Sequence, residues 1–234
     1  MILLRLQAPF AAFRPFTAGW YRPTAGFLTP SAAYGLALNL AGEETRRDDG
    51  ISAMTVTRFG LPSARIAIGA DPNHPLPTTQ TIFQQLHNYP VGASGKERKE
   101  DAKGSKYNIT PVRREFLSNL RAVVALDFLG HEMIEDQLRD GLEGKSPRSG
   151  TRYGLPFLGD NAFLLDKVSI LDGPVEARWY CRLDAEGGAV PHSTRLTSWI
   201  DRRDMSKTRS ALYAPTAEAS MEIPETAWTL ISPP

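Results

Sequence analysis

Leu4 and Leu6 alternate with Arg5 and Gln7 near the start of the chain, a period of two that predicts a strand over residues 2–8 with one buried face. A loop rich in proline, glycine and aromatic residues follows, PFAAFRPFTAGWYRPTAGF. The period then changes. Over residues 29–42, Ala33, Leu36, Ala37 and Leu40 share one helical face, and Tyr34, Leu38 and Ala41 make most of the remainder apolar. Thr29 can accept from the free amides of the first turn, Pro30 suits the first helical position, and Gly42 can supply a left-handed closing residue. Such a helix should be buried against a sheet, with Gly35 allowing close approach.

Further along, residues 51–59 and 64–69 read as two short strands joined by Gly60-Leu61-Pro62. The proline-rich DPNHPLP precedes a strand-like run, TIFQQLHNY. Residues 92–106 hold almost nothing apolar and cannot nucleate a core. The clearest β-branched run is RAVVALDF at 121–128, and a helix at about 131–141 places Ile134 and Leu138 on one stripe among acidic residues. Asp172-Gly173 suggests a hairpin turn within 165–183, and TAWTLIS a last strand.

Composition narrows the classes. A chain of 234 residues fits one large domain, residues 1–234, able to bury a core without disulfides. With 27 Lys+Arg against 26 Asp+Glu, the net charge of +1 argues against a uniformly basic nucleic-acid coat protein. The single cysteine, Cys181, excludes an internal disulfide and any multi-cysteine zinc site, and suggests a reducing, cytoplasmic setting. Arg5 interrupts the apolar start, which reads as a strand rather than a signal peptide, and the longest uncharged run, between Arg22 and Glu43, is too broken to span a membrane.

The near-neutral total conceals segregation. Gly92 to Arg121 carries eight Lys/Arg and four Asp/Glu, Asp127 to Glu143 six Asp/Glu and only Arg139, and His192 to Arg209 five Lys/Arg and two Asp. Lys96, Arg98, Lys99, Lys103 and Lys106 form a glycine-flanked insertion, with Arg113 and Arg114 close behind. Closely spaced cations on an arm suit a phosphate backbone, and Tyr89 and Tyr107, which bracket it, can stack on unpaired bases. A solvated loop neutralised by Glu97, Glu100 and Asp101 is the bland alternative. Arg14, Trp20, Tyr21 and Arg22 make a second cation–aromatic cluster, for which packing under the first strand is the account the residues alone favour.

Motifs of small-molecule catalysis are missing: no Walker phosphate loop, dinucleotide fingerprint or nucleophile elbow occurs. His131-Glu132 opens like a zinc-protease motif, but Glu135 stands where the second histidine must be, so no metal site and no cofactor are expected.

The wording of LLRLQAPFAAFRP followed by RPTAGFLTPSAAYGLALNLAG resembles the opening of the CRISPR-associated Cas-five family, within the RAMP superfamily. KYNITPVRREFLSNLRAVVAL resembles the family's segment after its thumb, and GLPFLGDNAFLLD its Pro-aromatic-Leu-Gly turn. The likeness is nearest to the DevS-like branch linked to type I-B systems. It implies an α+β fold, an RRM-like (ferredoxin-like) βαββαβ core with an inserted β-hairpin thumb, here the basic insertion at about 90–112. The aromatic signature of ordinary RRM sheets is absent, so RNA should be held by loops and thumb rather than on the sheet face.

The resemblance further implies a non-catalytic subunit of a type I Cascade surveillance complex, which grips the 5′ handle of the CRISPR RNA and caps the backbone filament. Its partners would be the handle, the backbone and large subunits, and target DNA near the PAM. Lys96, Arg98, Lys99, Lys103, Lys106, Arg113 and Arg114 would meet phosphates. Trp20, Tyr21 and Tyr107 would stack on bases, supported by Arg14 and Arg22. In the type I-C branch the protein itself cuts precursor RNA with a Tyr and an adjacent Lys-His pair. Here Asn73, Leu86, Gly130 and Pro191 precede the four histidines, so that pair is lacking. Two rivals stand beside this reading: a metal-independent ribonuclease using a base such as His87 and a cation such as Lys106, and a scaffold contacting only proteins.

Overall fold

The computed structural model describes residues 1–15, 21–50, 55–87, 109–145, 155–183 and 190–233. In β1 (Ile2–Ala11), the predicted alternation holds: Ile2, Leu4, Leu6 and Ala8 are buried and Arg5 is exposed. Helix α1 (Pro30–Leu40) is capped as its ends dictate. The Thr29 hydroxyl accepts from the Ala32 amide at 3.2 Å. At the far end Gly42, with φ 76°, lets its own amide reach the Asn39 carbonyl and the Glu43 amide reach that of Leu38, at 3.1 and 2.8 Å. Gly35 corrects the expectation of a close approach. A Cβ there would meet nothing within 4 Å, and the helix packs through Ala33, Leu36, Ala37 and Leu40 instead.

β3 (Arg46–Arg47) and β4 (Val56–Thr57) pair with each other as a separate ribbon, while β5 (Ala64–Ala70) joins the main sheet. The two runs flanking Gly60-Leu61-Pro62 are therefore not partners, and residues 51–54 lie outside the described residues.

The organising element is β7 (Ile109–Phe128), 20 residues long and so spanning about 66 Å if straight. Its C-terminal part, Ala122–Phe128, pairs antiparallel with β5. Its N-terminal part pairs antiparallel with β6 (Thr78–His87), from Thr78 opposite Ser118 to His87 opposite Ile109. Along the other edge runs β1, from Ile2 opposite Leu126 to Ala11 opposite Leu117. β2 (Tyr21–Arg22) prolongs that edge in parallel, opposite Arg113 and Arg114. One strand thus belongs both to the central sheet and to a two-stranded arm that leaves it.

Helix α2 (Glu132–Leu142) follows, with Ile134 and Leu138 buried as its stripe predicts. Then come β8 (Lys167–Leu171), β9 (Arg178–Arg182), β10 (Thr194–Trp199), β11 (Arg209–Pro215) and β12 (Thr229–Ile231). Among the described residues the main sheet runs β10-β11-β9-β5-β7-β1-β8, with β12 on β5, and β2 and β6 on β7. Asp172-Gly173 is a second correction: β8 pairs with β1, and β9 with β5 and β11, so β1, β7 and β5 lie between them. The turn starts a crossover, because each strand buries its apolar side against a different neighbour.

The sheet is buried on both faces. Ala122, Val124 and Leu126 join Leu4, Leu6, Ile66 and Ile68 under the two helices. Val123 and Ala125 join Ala67, Ala177, Trp179 and Ala227 on the opposite side, where Ile223 and Trp228 close over them. Two-sided burial explains why 122–126 is an unbroken apolar run rather than an alternation. The fold is mixed α+β, a large and mainly antiparallel sheet with two helices, and among the described residues no helix is long and apolar enough to cross a membrane.

Candidate nucleic-acid interface

Opposed residues on paired strands project to the same side. Across β6, β7 and β2, the row Ile82, Arg114, Arg22 therefore lies on one face of the arm and the row Phe83, Arg113, Tyr21 on the other. Over Arg114 the first face is covered by a loop from far along the chain. Leu158 is fully buried, its carbonyl accepts from Ala12 at 3.3 Å, and Phe157 bridges to Leu164. Between them Gly159 sits at φ 76°, where an added Cβ would lie 2.1 Å from the Ala12 carbonyl oxygen. No other residue lets the loop pass so close to the end of β1.

That passage delivers Asp160 to the arginines. Its Oδ1 accepts from the Ala162 amide at 3.0 Å, which fixes the carboxylate. Its Oδ2 pairs with Arg114 Nη2 and lies 3.3 Å from Arg14 Nη2. Arg114 and Asp160 are each only 8% exposed, whereas the Arg14 side chain is 44% exposed. Arg114 also donates to Gln84 Oε1 at 3.3 Å and lies 5.0 Å from the centroid of the Phe163 ring. Beneath it Phe10, Phe116 and Phe163 form an aromatic cluster, with centroids 5.4 to 6.2 Å apart.

Arg22 completes the group. Burial first, then the charges of Arg14 and Arg114, pull its pKa below the ordinary arginine value, against the opposing pull of Asp160. Arginine stays protonated in spite of this. Two guanidinium groups thus contact one carboxylate, and a third lies near enough to feel the charges of all three.

On the opposite face Tyr21 donates its hydroxyl to Glu115 Oε1, and Glu115 Oε2 accepts from the Thr24 amide at 3.1 Å. The bond to Glu115 raises the Tyr21 pKa above its usual value. The cluster at Arg14, Tyr21 and Arg22 is therefore a partly exposed surface group rather than packing under the first strand. Of the expected binding residues, the fold brings Arg14, Arg22 and Arg114 together and sets Tyr21 and Arg113 back to back with them. Trp20, Lys96, Arg98, Lys99, Lys103, Lys106 and Tyr107 lie outside the described residues. Asp160, Phe163 and Glu115 were missed. The available signal was the Gly159-Asp160-Asn161 turn, which marks a tight loop but does not say which cations it meets.

The residues named for the ribonuclease rival fall at the far end of the arm: the His87 backbone pairs opposite Ile109, and Lys106 lies outside the described residues. His131 precedes α2 without a side-chain cap bond. Among the described residues, no three His, Cys, Asp or Glu groups approach one another closely enough to hold a metal ion.

Residues 1–143 match the family model described as CRISPR-associated protein (Cas_Cas5). A protein of Myxococcus xanthus (strain DK1622), "CRISPR-associated protein Cas5", is 26% identical over 96% of this chain and 97% of its own. In fold, the chain is similar to one in a "CRISPR RNA-guided surveillance complex", with TM-score 0.50 and 17% identity over 94% of this chain and 91% of that one. A second solved structure, "Crystal structure of Cas protein", has TM-score 0.38 at 15% identity, over 93% of each chain. The match spans the first strand, the capped helix, the arm and the acidic helix, and the chain belongs to the CRISPR-associated Cas5 family.

Proposed function

We propose that this protein is a non-catalytic, RNA-binding subunit of a type I CRISPR Cascade surveillance complex, which holds the 5′ handle of the CRISPR RNA and caps the backbone filament in the cytoplasm. The observation that carries the reading is the meeting of Arg14 and Arg114, from separate segments, on the one carboxylate of Asp160, with Arg22 beside them. Three neighbouring cations against one anion favour a phosphate, because guanidinium groups match phosphate oxygens in geometry and charge. Family membership and the likeness to a surveillance-complex chain support the same assignment.

Within this reading, the path β1–α1–β5–β7–α2–β8, with neighbours in the order β8-β1-β7-β5, is the RRM-like βαββαβ core. The β6–β7 arm is the stem of the thumb, and the basic segment from Lys96 to Lys106 is its tip. The covered outer face of the sheet fits RNA held on arm and loops. The motif wording favours the DevS-like type I-B branch, with backbone and large subunits as neighbours and target DNA near the PAM beyond them.

The test is binding of single-stranded handle RNA by the full-length chain, alone and assembled, over a range of salt. Log affinity should fall linearly with log salt, with a slope of about −0.7 per phosphate contact. Replacing Arg14 and Arg22 with Ala should flatten that slope, as should replacing Lys96, Arg98, Lys99 and Lys103. Precursor RNA incubated with the protein should remain intact. A slope unchanged in both variants would reject the reading, and specific cleavage abolished by replacing His87 would favour the ribonuclease.

A further inference from the structure

Phe83 is 80% exposed in the middle of a paired strand. It stands opposite Arg113, which stands opposite Tyr21 across the other edge of β7. Directly opposed side chains are about 4.5–5.5 Å apart at Cβ, so the three form one row over the width of the arm. Tyr21 is 43% exposed, and its ring is tethered by the bond to Glu115. The Arg113 guanidinium carbon lies 5.8 Å from the centroid of that ring, within cation–π range. Thr81 and Gln85, two residues to either side of Phe83 on the same face, are exposed and give the ring no apolar shelter. A single exposed phenylalanine needs no special account. This one is in register with a cation and a second, tethered aromatic ring, on the reverse of the strand that carries Arg114 into the guanidinium cluster.

We propose that Phe83 is a stacking residue for one unpaired RNA base, with Arg113 holding the adjoining phosphate and Tyr21 flanking the next nucleotide. The inference rests on the RNA-binding reading above and adds to it a base-contacting residue on the arm. An open ring face accepts any base, because every base has a π face, and it accepts only unstacked bases, so the row selects single strands over duplex. The amide of Gln85, next along the same face, offers both a donor and an acceptor to the edge of a base lying on Phe83.

The experiment uses the full-length chain with a short single-stranded RNA of mixed sequence, the same sequence as a duplex, and a set of 2-aminopurine substitutions along the single strand. Replacing Phe83 with Ala should weaken single-strand binding roughly 5- to 150-fold, the range found when a stacking aromatic is truncated. The slope of log affinity against log salt should stay as it was, since no phosphate contact is lost. F83W should restore affinity, and F83L, apolar but not aromatic, should not. Quenching of 2-aminopurine at one position should disappear in F83A and return in F83W. Unchanged affinity and quenching in F83A would overturn the proposal, as would a defect confined to assembly with other subunits, which would make the row a protein contact. Failure of the underlying reading has a different signature: the unsubstituted protein would then show no salt-dependent binding at all.

Discussion

Replacing Asp160 with Asn removes the one negative charge that Arg14 and Arg114 share, while the amide oxygen can still accept from Ala162. The effect divides by exposure. The Arg14 contact is 44% exposed on the arginine side and screened by water, so its loss costs about 0–1 kcal/mol. The Arg114 contact is 8% exposed on both sides, and stripping a buried charge of its partner costs roughly 3–5 kcal/mol. For a chain of this size each kcal/mol moves the melting temperature by about 2–4 °C, so D160N should melt about 6–20 °C lower. R14A should change stability by less than about 1 kcal/mol. A third variant separates burial from mere loss of charge. Replacing both partners with apolar residues, R114M together with D160L, should recover much of the loss, because no unpaired charge remains inside. The assay is chemical denaturation followed by far-ultraviolet circular dichroism, comparing midpoints at constant m value. A D160N loss below about 1 kcal/mol, or a double variant worse than both singles, would show that water reaches the pair and that Asp160 does not organise the cluster.

Other outcomes follow from local geometry. Gly159→Ala should destabilise by at least about 1–2 kcal/mol from the left-handed backbone alone, and its Cβ, 2.1 Å from the Ala12 oxygen, should also displace Asp160, so RNA affinity should fall along with the denaturation midpoint. Thr29→Ala should cost about 1 kcal/mol through the lost cap, with no change in the salt slope of RNA binding. The Tyr21 phenol should ionise above its ordinary value in a spectrophotometric titration, and E115Q should lower it. Because the folded value is raised, the contribution of that bond is complete below the unfolded phenol value, about 10, and is lost as pH rises through the folded one. Crosslinking of RNA to α2, where Glu135 lies 2.9 Å from the chain's N-terminal ammonium and Glu132, Asp136 and Asp140 are near, should not occur.

Sequence alone determined what depends on a few neighbouring residues. The alternation Leu4, Arg5, Leu6 makes a one-sided strand wherever it is placed, and Thr29, Pro30 and Gly42 satisfy the ends of α1 with groups that are part of the same segment. The acidic helix carried its own stripe, Ile134 and Leu138, and the basic composition of 92–106 was plain. Pairing was another matter. Asp172-Gly173 has hairpin chemistry, yet β8 and β9 end three strands apart, because register and neighbour are chosen by which apolar faces bury each other across the whole sheet. Two-sided burial erased the period of two in 122–126, so the faces of β7 could not be read from its own residues.

The candidate site was legible as residue types and not as an arrangement. Arg14, Arg22 and Arg114 could be named from their neighbourhoods, but Asp160 lies 146 residues from Arg14 and meets it only because Gly159 lets its loop cross the end of β1. Phe83 follows Ile82 directly, so no alternation says which of them faces water. The register of the opposite strand sets the degree: Ile82, beside the buried Arg114, is 41% exposed, and Phe83, in the open row with Arg113, is 80% exposed. Local chemistry fixes caps, periods and charge, whereas the energy that joins distant segments comes from burial shared between them, and no single segment carries that information.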